Sequence, residues 1–262
     1  MTGTTVGTGL RIAVLAAVLA FATAQARADE AFARERLKAM SDYLGAQATL
    51  AVDFDASLEV VTAEGQKLLL ASSGSLTMAR PDKLRVTRAS GFADAEIVFD
   101  GATLTLIGKS ANVYAQVDVP GTIDQLVDVL RDTYHRPLPA ADLLLSDVNA
   151  ALSEGVSDVK DVGYGVIGGQ ECDHFAFRSE HVDWQIWISQ DDRPLPCRYV
   201  ITTRDVEGSP QYSIEFRGWT TGHNVAPETF AFANPTGAQK IELGDIAEAR
   251  DLPEHFTTGA NP

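Results

Sequence analysis

The stretch VDFDASLEV, Val52 to Val60, alternates strictly. Val52, Phe54, Ala56, Leu58 and Val60 are apolar, and Asp53, Asp55, Ser57 and Glu59 between them are polar. Successive side chains reach opposite faces only in a strand, so this period of two demands an antiparallel strand with one buried and one wet face. After a turn at Ala63-Glu64-Gly65, Leu70, Ser72, Gly74, Leu76 and Met78 share one face of a second long strand. Shorter strands are expected at residues 84–87, 95–99, 103–107 and 113–117, separated by Gly91, Asp100-Gly101 and the GKSAN stretch, as in hairpins. After Gly155 the alternation returns in DVGYGVIGGQECDHFAFRS, VDWQIWIS, CRYVITTRDV and QYSIEFRGW, with FAFANPTGAQKIE as a last short strand.

Helical spacing frames and interrupts these strands. Phe32, Leu37, Met40, Tyr43 and Leu44 recur at the helical period before the first strand. In the middle, Thr122 is placed to cap a helix whose stripe is Ile123, Leu126, Val127 and Leu130, ended by Pro137 and Pro139. AADLLLSDVNAALSEG adds two short helical pieces broken at Ser146 or Asp147. Nothing alternates as βαβ. The fold class is therefore α+β, mainly β: a long meandering antiparallel sheet with helices on one face. One domain spans residues 29–243, and residues 244–262 form an acidic, loosely ordered tail.

The amino terminus sets the compartment. A start with one arginine and no acid leads into the apolar run IAVLAAVLAFATA and an Ala-x-Ala site, Ala26-Arg27-Ala28. This is the pattern of a signal peptide, residues 1–28, cleaved on export to the periplasm. Cleavage removes Arg11 and Arg27 and no acid, which takes the net charge from −15 to −17. Such a surface disfavours nucleic acid and anionic membrane, and a monomer is expected. Cys172 and Cys197 sit in an oxidising compartment, where one disulfide is the usual outcome. A regular meander, however, separates them by a whole strand, roughly 10 Å, against the about 7 Å that a disulfide spans. Two free thiols are the expectation.

No catalytic or metal site is expected, and no cofactor. His135, His174, His181, His223 and His255 form no metal-ligand pair, and Cys172-x-His174 lacks a second pair. No Gly-x-Ser-x-Gly elbow or phosphate-binding loop occurs. Trp184 shares parity with Ile186 and Ile188 and is assigned to the apolar interior, whereas Trp187 faces the other way.

RPDKLR followed by FDGATLTLIGKSANVYAQ, and FAFANPTGA near the end, resemble the periplasmic lipoprotein carrier LolA. With GTIDQLVDVLRD and VDWQIWI, the chain is more similar still to a family of predicted periplasmic proteins of unknown function sharing the LolA/LolB-like fold. The resemblance implies a curved antiparallel half-barrel closed by helices on its concave face, with a cavity for lipid or acyl chains. Strands apolar on one side and an insert with one apolar stripe fit that arrangement. The cavity lining is then Val52, Phe54, Leu58, Leu70, Leu76, Met78, Ile97, Phe99, Leu104 and Trp184, with Ile123, Leu126 and Leu130 from the insert.

Arg80 shares the parity of Leu70, Leu76 and Met78 and precedes Pro81, which keeps it extended. It is expected at the rim of the apolar face, bonded to carbonyls of the helical insert or to Asp124 or Asp128, and in carriers of this fold the matching arginine latches the lid. Lys83, Arg85 and Arg88 are expected to be solvated. The expected partner is a hydrophobic ligand such as a lipid. The alternative is an envelope interaction or sensing domain that binds another protein.

Overall fold

The computed structural model describes residues 29–62, 64–91, 94–135, 138–245 and the pair 256–257. The expected signal peptide and most of the expected acidic tail fall outside these residues.

Helix α1 covers residues 29–46. It leads into β1 (Thr49–Thr62), β2 (Lys67–Ala79), β3 (Lys83–Ser90), β4 (Asp94–Phe99), β5 (Thr103–Gly108) and β6 (Val113–Asp118). Next come α2 (Ile123–Asp132), a 3-10 turn at Ala141–Leu144 and α3 (Val148–Ser153). Strands β7 (Asp158–Ile167), β8 (Gln170–Arg178), β9 (Val182–Ser189), β10 (Pro196–Thr203) and β11 (Gln211–Thr221) follow. A 3-10 turn at Pro227–Phe230, then β12 (Gln239–Lys240) and β13 (Phe256–Thr257), complete the described elements. The FAFANPTGAQKIE segment is thus a strand only at Gln239–Lys240, where it pairs parallel with β6.

All strands belong to one large, open, curled sheet in the order β12-β6-β5-β4-β3-β2-β1-β11-β10-β9-β8-β7, with β13 beside β1. Two antiparallel meanders, β1 to β6 and β7 to β11, join where β1 pairs with β11, Phe54 opposite Phe216 and Leu58 opposite Tyr212. The helical insert connects β6, beside one edge of the sheet, to β7, at the other. It must cross a face of the sheet to do so.

The face it crosses is the apolar one. Leu37, Met40 and Leu44 of α1, Ile123, Leu126 and Leu130 of α2, and Val148 and Leu152 of α3 share one core with Leu50, Phe54, Met78, Leu84, Phe99, Leu104, Phe175 and Ile186 of the strands. Helix α2 starts where the sequence demands. Thr122 accepts a bond from the Gln125 amide, and the Gln125 side chain accepts one from the Thr122 amide. Gly121 (φ 148°) precedes this box because a Cβ there would lie 2.1 Å from Gln125 Oε1. In β2, Gly74 is required by close approach: a Cβ would meet the Phe54 ring at 2.5 Å.

The cysteines overturn the expectation of free thiols. Cys172 and Cys197 are disulfide-bonded, with Cα atoms 6.8 Å apart. The regular meander fails at two points. Cys172 lies opposite Ser189, the last residue of β9, rather than Ile188. Cys197 is an extra residue in the ladder, since Pro196 faces Ile188 and Arg198 faces Trp187. The bulge and the end of β9 let the two cysteines bridge where a flat sheet would hold them too far apart. Intact mass should show two hydrogens fewer than the reduced chain. For a loop of sequence separation 25, reduction should lower stability by about 3 kcal/mol in urea titration.

Candidate functional site

The β2–β3 turn is where the sheet takes hold of the insert. Its Pro81 carbonyl accepts a 2.9 Å bond from the Ile123 amide, the first of α2. Its Arg80 side chain turns toward the helical face, as the parity with Leu76 and Met78 requires. The guanidinium donates through Nη1 to the Leu144 carbonyl at 3.0 Å and through Nη2 to the Leu145 carbonyl at 3.1 Å. These carbonyls close the 3-10 turn, and a charged donor on neutral acceptors gives a stronger bond than a neutral pair. Burial pulls the Arg80 pKa down from its usual value, and nearby Asp124 partly opposes this. The group stays a cation at any physiological pH.

The next residues are held from two further sides. Asp124, in the first turn of α2, accepts from the Ser146 amide at 3.0 Å and from its hydroxyl. Ser41 of α1 accepts from the Asn149 amide at 2.9 Å, and Asp147 caps α3 through the Ala150 amide. Gly45 lets α1 approach, since a Cβ there would lie 2.9 Å from the Ser146 carbonyl oxygen. Residues 144–149 are therefore gripped by β2, α2 and α1 together. A polar cleft of about 350 Å³, lined by Lys38, Asp42 and Asp147 among others, opens beside this grip.

The residues expected to line a cavity are found mostly in one place. Phe54, Met78, Phe99, Leu104, Ile123, Leu126, Leu130 and Trp184 belong to a single core, with Leu76 and Ile97 packed against it. In this structure they fill one another's space: Phe99, Leu104, Ile123 and Leu126 have no exposed surface. Trp184 stacks on Phe177, ring centroids 3.9 Å apart. Val52 is buried but lies outside that core. Leu58 and Leu70 face each other at the far end of β1 and β2, half exposed.

One arginine departs from the solvated state that the sequence suggests. Arg85 pairs with the buried carboxylate of Glu96 and donates to the Thr229 carbonyl at 2.8 Å. It pins the carboxy-terminal segment across the outer face of β3. Arg88 is exposed, as the sequence suggests, and its even position places it on the face of Leu84 and Val86. Its Nε donates to Ser72 at 3.1 Å. Parity alone could have found it.

Reasoning from sequence also missed Arg36, Tyr199 and Asp142. Arg36 of α1 pairs with Asp173 at 2.8 Å and donates to the Ser189 carbonyl, fastening α1 to β8 and β9. No local pattern announces a contact so distant in sequence. Asp142 lies on the 3-10 turn close enough to fully buried Tyr199 to raise its pKa further. Burial also raises the Asp142 carboxyl above the usual carboxylate range, against its own backbone hydrogen bond and the charge of Arg131. A raised folded-state pKa means the folded protein holds this proton more tightly. The stabilisation is complete at low pH and is lost as pH rises through the folded pKa. Asp142→Asn should therefore gain stability relative to wild type at pH 7 and not at pH 3, in thermal melts at the two pH values.

Residues 33–244 match the family described as "Predicted periplasmic protein (DUF2092)", and the chain belongs to it. Its place is the periplasm, and among the described residues no helix is long and apolar enough to cross a membrane. Comparison with curated proteins finds no match. Among solved structures, the Pseudomonas aeruginosa MucA/MucB complex contains a chain with 13% identity and TM-score 0.45, covering 77% of this chain. This chain spans only 61% of that one. An uncharacterized conserved protein from Thermus thermophilus is 13% identical with TM-score 0.42, covering 80% of this chain and 98% of its own. The Mycobacterium tuberculosis lipoprotein LppX is 14% identical with TM-score 0.35, covering 74% of this chain and 96% of its own.

Proposed function

For this member of a periplasmic family, we propose a carrier or binding protein, not an enzyme, that takes up a lipid or other acylated molecule between the helical insert and the sheet. The insert acts as a lid on the curled sheet, and the apolar residues now packed between them become the walls of the cavity when it lifts. The observation that carries this reading is the Arg80 grip on Leu144 and Leu145. Apolar packing is non-directional and lets a lid slide or be replaced by an acyl chain. Directional bonds concentrated at one turn make a closure that opens as a unit. Arg80 is the latch in this scheme, and Asp124 and Ser41 support it.

Organic extraction of the purified protein followed by lipid mass spectrometry tests the reading, together with uptake of labelled lipid. The wild type should carry or acquire lipid. Arg80→Leu should keep the fold, speed amide exchange in residues 123–153 about tenfold and change uptake or release. Arg217→Leu, which removes an outer-face ion pair with Asp55, should do neither. A protein that is empty and takes nothing up would sink the carrier reading.

One observation favours a second reading, a protein-binding sensing domain. Among the described residues strand β7 is an unpaired sheet edge, and it exposes Val162, Tyr164 and Val166 at 53%, 68% and 60%. An extended partner segment adding to that edge would leave lipid content at zero and be abolished by Tyr164→Asp.

A further inference from the structure

The strand register sets small residues on both sides of Arg88, with the Phe54 ring lying over the one on β2. Across β3 Arg88 faces Gly74 of β2 on one side and Ala95 of β4 on the other, and Ala95 in turn faces Gly108 of β5. One step along the strands, Ser90, Ser72 and Ala56 continue the same floor. Taller apolar rows border it. Leu106, Ile97, Val86 and Leu76 form one side, and Leu70, Leu58, Tyr212 and Ile201 the other. The result is a shallow trough on the helical face, ended at Gly74 by the Phe54 ring, with one long cationic side chain in it.

Its charge stands out against its surroundings. The protein carries 36 acidic residues against 21 basic ones, yet the described residues of these rows include no carboxylate. Among the described residues Ser72 is the acceptor for Arg88, through Nε–H, and the arginine remains exposed. The Tyr212 hydroxyl is close enough to feel that charge: burial pushes its pKa up to about 12, and Arg88 works against the rise. It stays a protonated hydrogen-bond donor at neutral pH. The buried Ser72 hydroxyl accepts from Arg88 and keeps its own proton as a donor.

We infer that this trough is a headgroup site: Arg88 receives the anionic head of an acyl ligand, a carboxylate or a phosphate, with Ser72 and Tyr212 as further donors. The acyl chain runs over the bordering apolar rows toward the insert. This rests on the lipid-binding reading above and adds the charge of the ligand to it. A guanidinium fork is suited to carboxylate or phosphate, and a partly desolvated ionic hydrogen bond is worth about tenfold or more in affinity.

Three probes of one chain length test it on the purified, lipid-stripped mature protein: palmitate, palmitoyl lysophosphatidic acid and neutral monopalmitoylglycerol. Tryptophan fluorescence reads binding below the critical micelle concentrations. The anionic probes should bind more tightly than the neutral one and weaken with added salt. Arg88→Gln should lower their affinity about tenfold and change the neutral probe less than about twofold. Arg88→Lys should recover part of the loss, and Arg217→Gln on the outer face should change nothing. Loss confined to palmitate or to the phosphate probe identifies which head the site takes. If all three probes bind alike and Arg88→Gln leaves them alike, the headgroup site is wrong while lipid binding stands. If none binds, both readings fall. Circular dichroism of each variant confirms folding, and an unfolded Arg88→Gln transfers the decision to Arg88→Lys with the salt series.

Discussion

The pairing of β1 with β11 governs the architecture. It joins the first meander to the last strand of the second, so β1 lies in the middle of the sheet and the free ends of both meanders lie far apart. The chain must then travel from β6 to β7 across the sheet, and the hydrophobic effect decides which face it crosses. One face carries Phe54, Met78, Leu84 and Phe99. The other carries Asp55, Arg85 and Arg217. An insert with a single stripe of Ile123, Leu126 and Leu130 can bury itself only on the former. The topology supplies the crossing, and the alternation supplies its side.

Much of this is written locally. Alternation in VDFDASLEV is readable because one face is buried and the other wet, and the Thr122 box is readable because it spans only four residues. The parity that sends Arg80 to the helical face carries through the residue before Pro81. What is not legible involves irregularity or distance. The bulge at Cys197 breaks the ladder that a regular meander assumes, and no residue type announces it. The grip of Arg85 on Thr229 joins residues far apart in sequence through a segment with almost no regular structure. Arg88 is legible in both respects: the alternation places it on the apolar face, and a charge near a strand end stays exposed there.

The two faces also divide polar work differently. On the outer face, Glu96 sits between Arg85 and Lys109, with the carboxy-terminal segment drawn over it and Phe230 buried beneath. Breaking such a buried ionic group leaves an uncompensated charge, which favours a fixed structure. On the helical face, the links between insert and sheet are mostly single hydrogen bonds to carbonyls, each worth less than such an ionic group.

The central seam between β1 and β11 has a cost in time. A polypeptide exported unfolded presents its amino-terminal end first, so β1 and its hairpin with β2 form long before β11 arrives. Local pairs such as Leu58 with Leu70 close short loops, whereas Leu50 must wait for Thr221. Contacts of such sequence separation slow folding because loop entropy is spent before they form. Until then the apolar side of the first meander is uncovered in the export compartment, and the half-made sheet ends in an unpaired β1 edge. Helix α1, the first described element, reaches across this gap: Tyr43 meets Thr221, and Arg36 meets Asp173. Both partners belong to the second meander, so the amino-terminal helix, made first, is fastened in place only when the last strands arrive.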